Sequence, residues 1–234
     1  MLRFTLFGIP VGVHFSFLFV SFLAMGIYDG SALVAFTVAI FLGVLVHEAG
    51  HAFTARAFGA TQVSITLFAL GGVTVFSTDP PLSAARRFLI SGAGSAAGIA
   101  TGGPLLLLWR AEVFDGLSRL ARVGLWSFII AALFWGVLNW IPIRPLDGGQ
   151  MLTAGLEIIT PRHADAIARV VTVVVGVAAI VVAIAYGQIF AAFFVGFLVL
   201  MGARRTTRPG SAPEPAPTTY DREPTREEPP EFPI

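Results

Sequence analysis

Long apolar runs set the terms for this chain: Val11–Tyr28, Ser31–Phe58, Phe88–Trp109 and Val123–Ile141, then a 34-residue stretch, Val170–Ala203. A membrane-spanning helix needs about 20 mostly apolar residues, so each of the first four is a candidate span. As a single helix the last would reach about 51 Å at ~1.5 Å per residue. Gly187-Gln188 is its plausible break, which predicts two spans. Charge points the same way. Of 29 charged side chains, 11 lie in the final 32 residues, leaving 18 for the first 202. A water-soluble fold, usually about 25% charged, could not clothe its surface with so few. The expected fold is an all-α polytopic membrane protein with about six transmembrane helices.

Between the second and third spans the pattern changes. Val63, Ile65 and Leu67 alternate with polar positions, and Val73-Thr74-Val75 resumes after Gly71-Gly72, which predicts a small β-hairpin over Thr61–Thr78. Open strands cannot face lipid, so the hairpin belongs at the interface or along a cavity. Gly94, Gly98 and Gly102 form overlapping small-xxx-small patterns, expected to pack against another helix. From Arg204 onward eight of the 15 prolines sit among Glu, Arg and Thr, which predicts a disordered tail over 204–234 beyond a membrane domain of 1–203. Met1–Pro10 carries no small-residue cleavage pattern and reads as leading into a retained first span.

Net charge is +1, so nothing suggests a nucleic-acid partner. The absence of Cys removes disulfides, thiolate zinc sites and cysteine nucleophiles together. With six spans, ten Arg fall on the amino-terminal side (Arg144 among them) and three, Arg110, Arg119 and Arg122, on the other. The positive-inside rule then places both termini in the cytoplasm.

The chemistry begins at His47-Glu48-Ala49-Gly50-His51, an H-E-x-x-H inside an apolar helix. Residues four apart share a helix face, so two imidazoles can address one ion. Glu48, beside the first, can act on water there without ligating the metal. Outside the tail the chain has four His and three Glu, and this pentapeptide uses three of those seven. If the helix leaves water near Asp29, His47 lies about 27 Å further on, deep in a ~30 Å core where ionisable groups mark function.

A catalytic zinc usually takes three protein ligands and one open position. Without Cys the third must be His or a carboxylate. The best candidate lies in the segment Asn139-Trp140-Ile141-Pro142-Ile143-Arg144-Pro145-Leu146-Asp147-Gly148-Gly149. Asn139, the sole Asn, falls about 26 Å along the fourth helix, at the depth of His47. Pro142 and Pro145 then break the helix and let Asp147 return towards that level. A plain turn after a Pro-broken helix is the alternative, and it stays open.

The paired motifs, HExxH in one span and Asn-x-x-Pro-x-x-x-x-Asp-Gly at the end of a later one, resemble the site-2 protease family of intramembrane zinc metalloproteases. The resemblance covers most of Pro10–Gly149. It implies that His47, His51 and Asp147 hold Zn2+, that Glu48 is the catalytic base, and that Asn139 orients substrate or the oxyanion. It also implies a membrane-protein substrate, such as an anti-sigma factor or a membrane-held transcription factor. Many members carry a PDZ insertion or paired cystathionine-β-synthase-type domains, which do not fit this length, so a compact form is expected. The third span departs from the pattern, reading Ser91-Gly92-Ala93-Gly94 where Gly-Pro is expected.

Other classes compete. A metal permease could use the same histidines as an ion site, though no inverted repeat is visible and polar residues gather at one depth. A catalytically inactive membrane adaptor is opposed by the intact Glu48. His14 is read as an interfacial residue bonded to backbone, and His163, beside Arg162 and Asp165, as a solvated loop residue.

Overall fold

The computed structural model describes residues 1–69 and 71–203; the expected tail, 204–234, lies outside them. The chain opens on two strands, β1 (Leu2–Leu6) and β2 (Ile9–Val13). A two-residue turn joins them at Phe7 and Gly8, with φ of 47° and 81°. Positive φ at both central positions marks the primed turns whose twist matches paired strands. A 3-10 turn and α1 (Phe19–Ala24) follow, then the 28-residue α2 (Gly30–Ala57). Next come β3 (Thr61–Phe68), β4 (Gly71–Ser77) and α3 (Ala84–Arg110). The chain continues through α4 (Arg119–Leu138), α5 (Asp147–Ile159), α6 (Ala164–Ala185) and α7 (Ile189–Ala203).

Among the described residues four helices, α2, α3, α4 and α6, are long and apolar enough to cross a membrane, and this is an integral membrane protein. Phe15–Ala24 and α7 are shorter apolar helices. The first expected span, Val11–Tyr28, is therefore corrected: Val11 and Val13 belong to a strand, and the helix that follows is short. The sheet explains the difference. Its strand order is β1-β2-β3-β4, with β2 and β3 parallel and the other pairs antiparallel. So the hairpin expected between the second and third spans, β3 and β4, exists but forms half of a larger sheet.

Ile9, Val11, Val63, Ile65 and Leu67 pack with Val44, Leu45, Ala52 and Ala55. The sheet thus lies against the half of α2 that carries the HExxH sequence. The connection through α1 has only the other half of α2 to traverse. Gln62, Ser64 and Thr66 alternate with those buried residues and fall on the opposite face.

Small residues bring the long helices into close contact. A Cβ on Gly43 would lie 2.8 Å from Ala131 Cβ, one on Gly50 2.5 Å from Ala93 O, and one on Gly98 2.6 Å from Ala132 O. These contacts lock α2, α3 and α4 together by near-backbone approach. The expected 34-residue stretch breaks where anticipated, between α6 and α7, at Tyr186-Gly187-Gln188 with Gly187 at φ 71°. Unanticipated is α5, which begins at Asp147 itself. Arg144, counted with the membrane-surface arginines, is instead buried.

Candidate metal centre

Helix α2 puts His47 and His51 one turn apart, with their Nε2 atoms separated by 3.1 Å. Asp147 Oδ2 lies 3.0 Å from His47 Nε2 and 3.2 Å from His51 Nε2. Both histidines are buried, and Asp147 is nearly so. Residues a hundred positions apart in sequence thus present three electron-pair donors to one point. The set, two imidazoles and one carboxylate, is of the type that holds a catalytic zinc while leaving a position open. Asp147 Oδ2 has no hydrogen-bond donor of its own, as fits an oxygen whose partner is a cation. Among the described residues this is the one such cluster.

The surroundings orient each donor. His51 Nδ1–H donates to Ile90 O of α3 at 2.7 Å, which fixes the tautomer and leaves the Nε2 lone pair facing Asp147. Such proximity requires Gly94, whose hypothetical Cβ would fall within the His51 imidazole. Asp147 opens α5, where the helix N-terminus favours negative charge.

Two glycines let that helix start fold back on the preceding loop. Gly148 N–H donates to Asn139 O at 2.5 Å, and a Cβ on Gly149 would stand 2.5 Å from Arg144 N. The Asp-Gly-Gly sequence is therefore a close-approach device at a helix N-terminus, not a free turn. Asn139 caps the end of α4 and extends its amide Nδ2 to 3.4 Å from His47 Nε2.

Glu48 is buried beside this group, 4% exposed. It faces β4: Thr74 Oγ1 donates to its carboxylate Oε2 at 2.8 Å, and Gly72 leaves room for its carboxyl group. Sequence reading missed Thr74, the Ile90 carbonyl and the Gly94 contact. The Gly-Gly-Val-Thr stretch was visible, but its pairing with α2 was not.

The other histidines and glutamates of the described residues stand elsewhere. His14 is exposed, its Nδ1 accepting from Ser16 N–H at 3.1 Å. Glu157 pairs with Arg87, and Glu112 is exposed. His163 is an exposed residue capping α6.

Helices, sheet and centre together define a polytopic membrane protein with a buried His-His-Asp cluster and an adjacent glutamate. No family model matches the chain. Sequence comparison finds a zinc metalloprotease of Methanocaldococcus jannaschii, 29% identical over 157 residues, covering 66% of this chain and 44% of the relative. It also finds the Mycobacterium tuberculosis protein named zinc metalloprotease Rip3, 30% identical over 190 residues, covering 71% of this chain and 44% of the relative. The chain thus spans under half the length of the curated relatives it matches. In fold it matches the site-2 protease of Methanocaldococcus jannaschii with a TM-score of 0.60, 22% identity, and coverage of 88% of this chain and 96% of that one. The sequence relatives are thus zinc metalloproteases by name, and the fold is similar to that of a site-2 protease, in line with the resemblance carried by the motifs.

Proposed function

We propose that this chain is an intramembrane zinc endopeptidase that hydrolyses peptide bonds within or near transmembrane segments of membrane-held regulatory proteins, anti-sigma factors or transcription factors among them. The observation that carries this reading is the convergence of His47, His51 and Asp147 within 3.2 Å of one another, beside a buried glutamate that does not join them. His47, His51 and Asp147 are the proposed ligands. A zinc ion there supplies Lewis acidity, lowering the pKa of water and polarising a carbonyl.

The chain's own groups do the rest. Glu48, held by Thr74, accepts the proton of the attacking water as general base and returns it to the leaving amine. Asn139 directs an amide donor to the side where the oxyanion develops. Strand β4 is an edge of the sheet and lies directly against Glu48. An unwound substrate segment adding to that edge would pass its carbonyls before the centre. A metal permease is disfavoured, because the described residues hold one such cluster at one depth.

The site in the bilayer would be a cell membrane, with both termini cytoplasmic. Setting aside buried Arg144, the arginine bias is still nine to three. A reporter fused after Ile234 is expected to be active in the cytoplasm; activity only outside would overturn that orientation. The decisive assay of function joins two readouts: zinc per chain in detergent, and cleavage of a reporter transmembrane segment. Wild-type protein is expected to hold about one zinc and cut. A protein that cuts after losing its zinc to His47→Ala would sink the reading.

A further inference from the structure

Arg144 is a buried cation three residues before a proposed ligand, and the catalytic scheme does not use it. Its guanidinium donates from Nη1 to Asp165 Oδ1 at 2.9 Å and from Nη2 to Asp165 O at 3.3 Å. Its main-chain N–H donates to Thr172 Oγ1 at 3.3 Å, and Thr172 is fully buried. Both partners belong to α6. From α7, Gly202 rests on the Arg144 carbonyl so closely that any side chain there would collide with it. On the remaining side Gly149 of α5 abuts Arg144 N.

Residue 144 is therefore held on three sides, by α6 and α7, which supply no ligand, and by the first turn of α5, which carries Asp147. Its backbone leads straight into the centre. Leu146 N–H bonds to Ile143 O at 2.8 Å, and Gly148 N–H to Asn139 O at 2.5 Å. These bonds bracket Asp147 and make the 143–149 segment a short, closed unit. A shift at Arg144 must be carried to Asp147, because little slack lies between them.

We propose that Arg144 is a positioning residue for the metal centre, latching the Asp147-bearing turn to α6 through Asp165 and Thr172 so that metal affinity depends on the C-terminal helical pair. The proposal rests on the metal-site reading given above. Neither Asp165 nor Thr172 touches the cluster, so sequence motifs around the HExxH and Asp-Gly-Gly give no hint of them. Asp165 is shared with Arg169, at 2.7 Å, one helical turn further on. Asp165 itself is half-exposed, so neutralising it unlatches Arg144 without opening a cavity between the helices.

The test is zinc affinity, measured by chelator competition on the full chain in detergent, alongside thermal unfolding. Asp165→Asn is expected to weaken zinc binding about tenfold, the low end of the range for losing a partner bonded to a ligand directly, in a protein that still folds and unfolds cooperatively. Asp165→Glu should recover most of that loss, which a general loss of stability would not do. Amide exchange over Ile143–Gly149 should speed up in Asp165→Asn, and Thr172→Val should move affinity in the same direction. Wild-type affinity in a folded Asp165→Asn, with unchanged exchange over that segment, overturns the latch. Absence of His47-dependent zinc in the wild type would instead overturn the metal-site reading itself.

Discussion

Thr74 grips Glu48 at two points: its hydroxyl lies 3.1 Å from the main-chain carbonyl and 2.8 Å from carboxylate Oε2. A strand thereby sets the direction of a helix-borne carboxylate that no neighbour on α2 holds. Thr74→Val keeps the shape and removes the hydroxyl. Cleavage is expected to slow about tenfold, the scale of one hydrogen bond to a charged group, with zinc content unchanged and Thr74→Ser close to wild type. Equal rates for Val and Thr in the reporter assay would show that Glu48 needs no such hold.

Ligands and base should separate cleanly. Glu48→Gln is expected to retain zinc while losing the proton transfer that typically contributes about 10²–10⁴-fold. Asp147→Ala should lose zinc together with activity, and Asp147→Asn should lose much of it, since a neutral amide is a poorer ligand. Metal analysis of the purified variants reads this directly. Full zinc occupancy in Asp147→Ala would remove Asp147 from the ligand set.

Asn139 stands next to a proposed ligand without being one. Asn139→Ala is expected to keep its zinc and slow cleavage by about 10²–10³-fold if the amide donates to the oxyanion. The loss should appear in kcat more than in KM. Loss confined to KM would assign Asn139 to substrate binding instead.

Packing gives a prediction that needs no substrate. Gly94→Ala drives a methyl group into the His51 ring, and overpacking of this kind costs about 1–3 kcal/mol. The variant should bind zinc more weakly and unfold at a lower temperature. Gly103→Ala, on the same helix with nothing within 4 Å of the new methyl, should match wild type in both measurements.

Much of the fold was open to reading because helix length and apolarity are local properties. The boundaries of α2, α3 and α4 fall within four residues of the runs that predict them. The amino-terminal stretch was misread for a related reason. Val11–Val13 are as compatible with a strand as with a helix, and what decides between them is β3, more than fifty residues away. Apolar residues dominate again from Phe15 onward, with only Ser16 between Phe15 and Phe17, so periodicity alone carries the helix too far back. Helix α5 was hidden because Asp-Gly-Gly reads locally as a turn; it begins a helix here because Gly148 and Gly149 fit under residues 140–144.

By itself the sequence determined that the chain lives in a membrane and that His47 and His51 share a helix face. Both follow from short-range rules, about one residue in water against lipid and four residues around a turn. It also offered Asp147 as a partner by depth. Only the tertiary structure decided that Asp147 Oδ2 meets both imidazoles, that Thr74 holds Glu48, and that Arg144 ties the Asp147 turn to α6. Those meetings depend on how helices rotate and how closely they approach. That is set by glycines on one element pressed against backbone on another, a relation no stretch of sequence contains on its own.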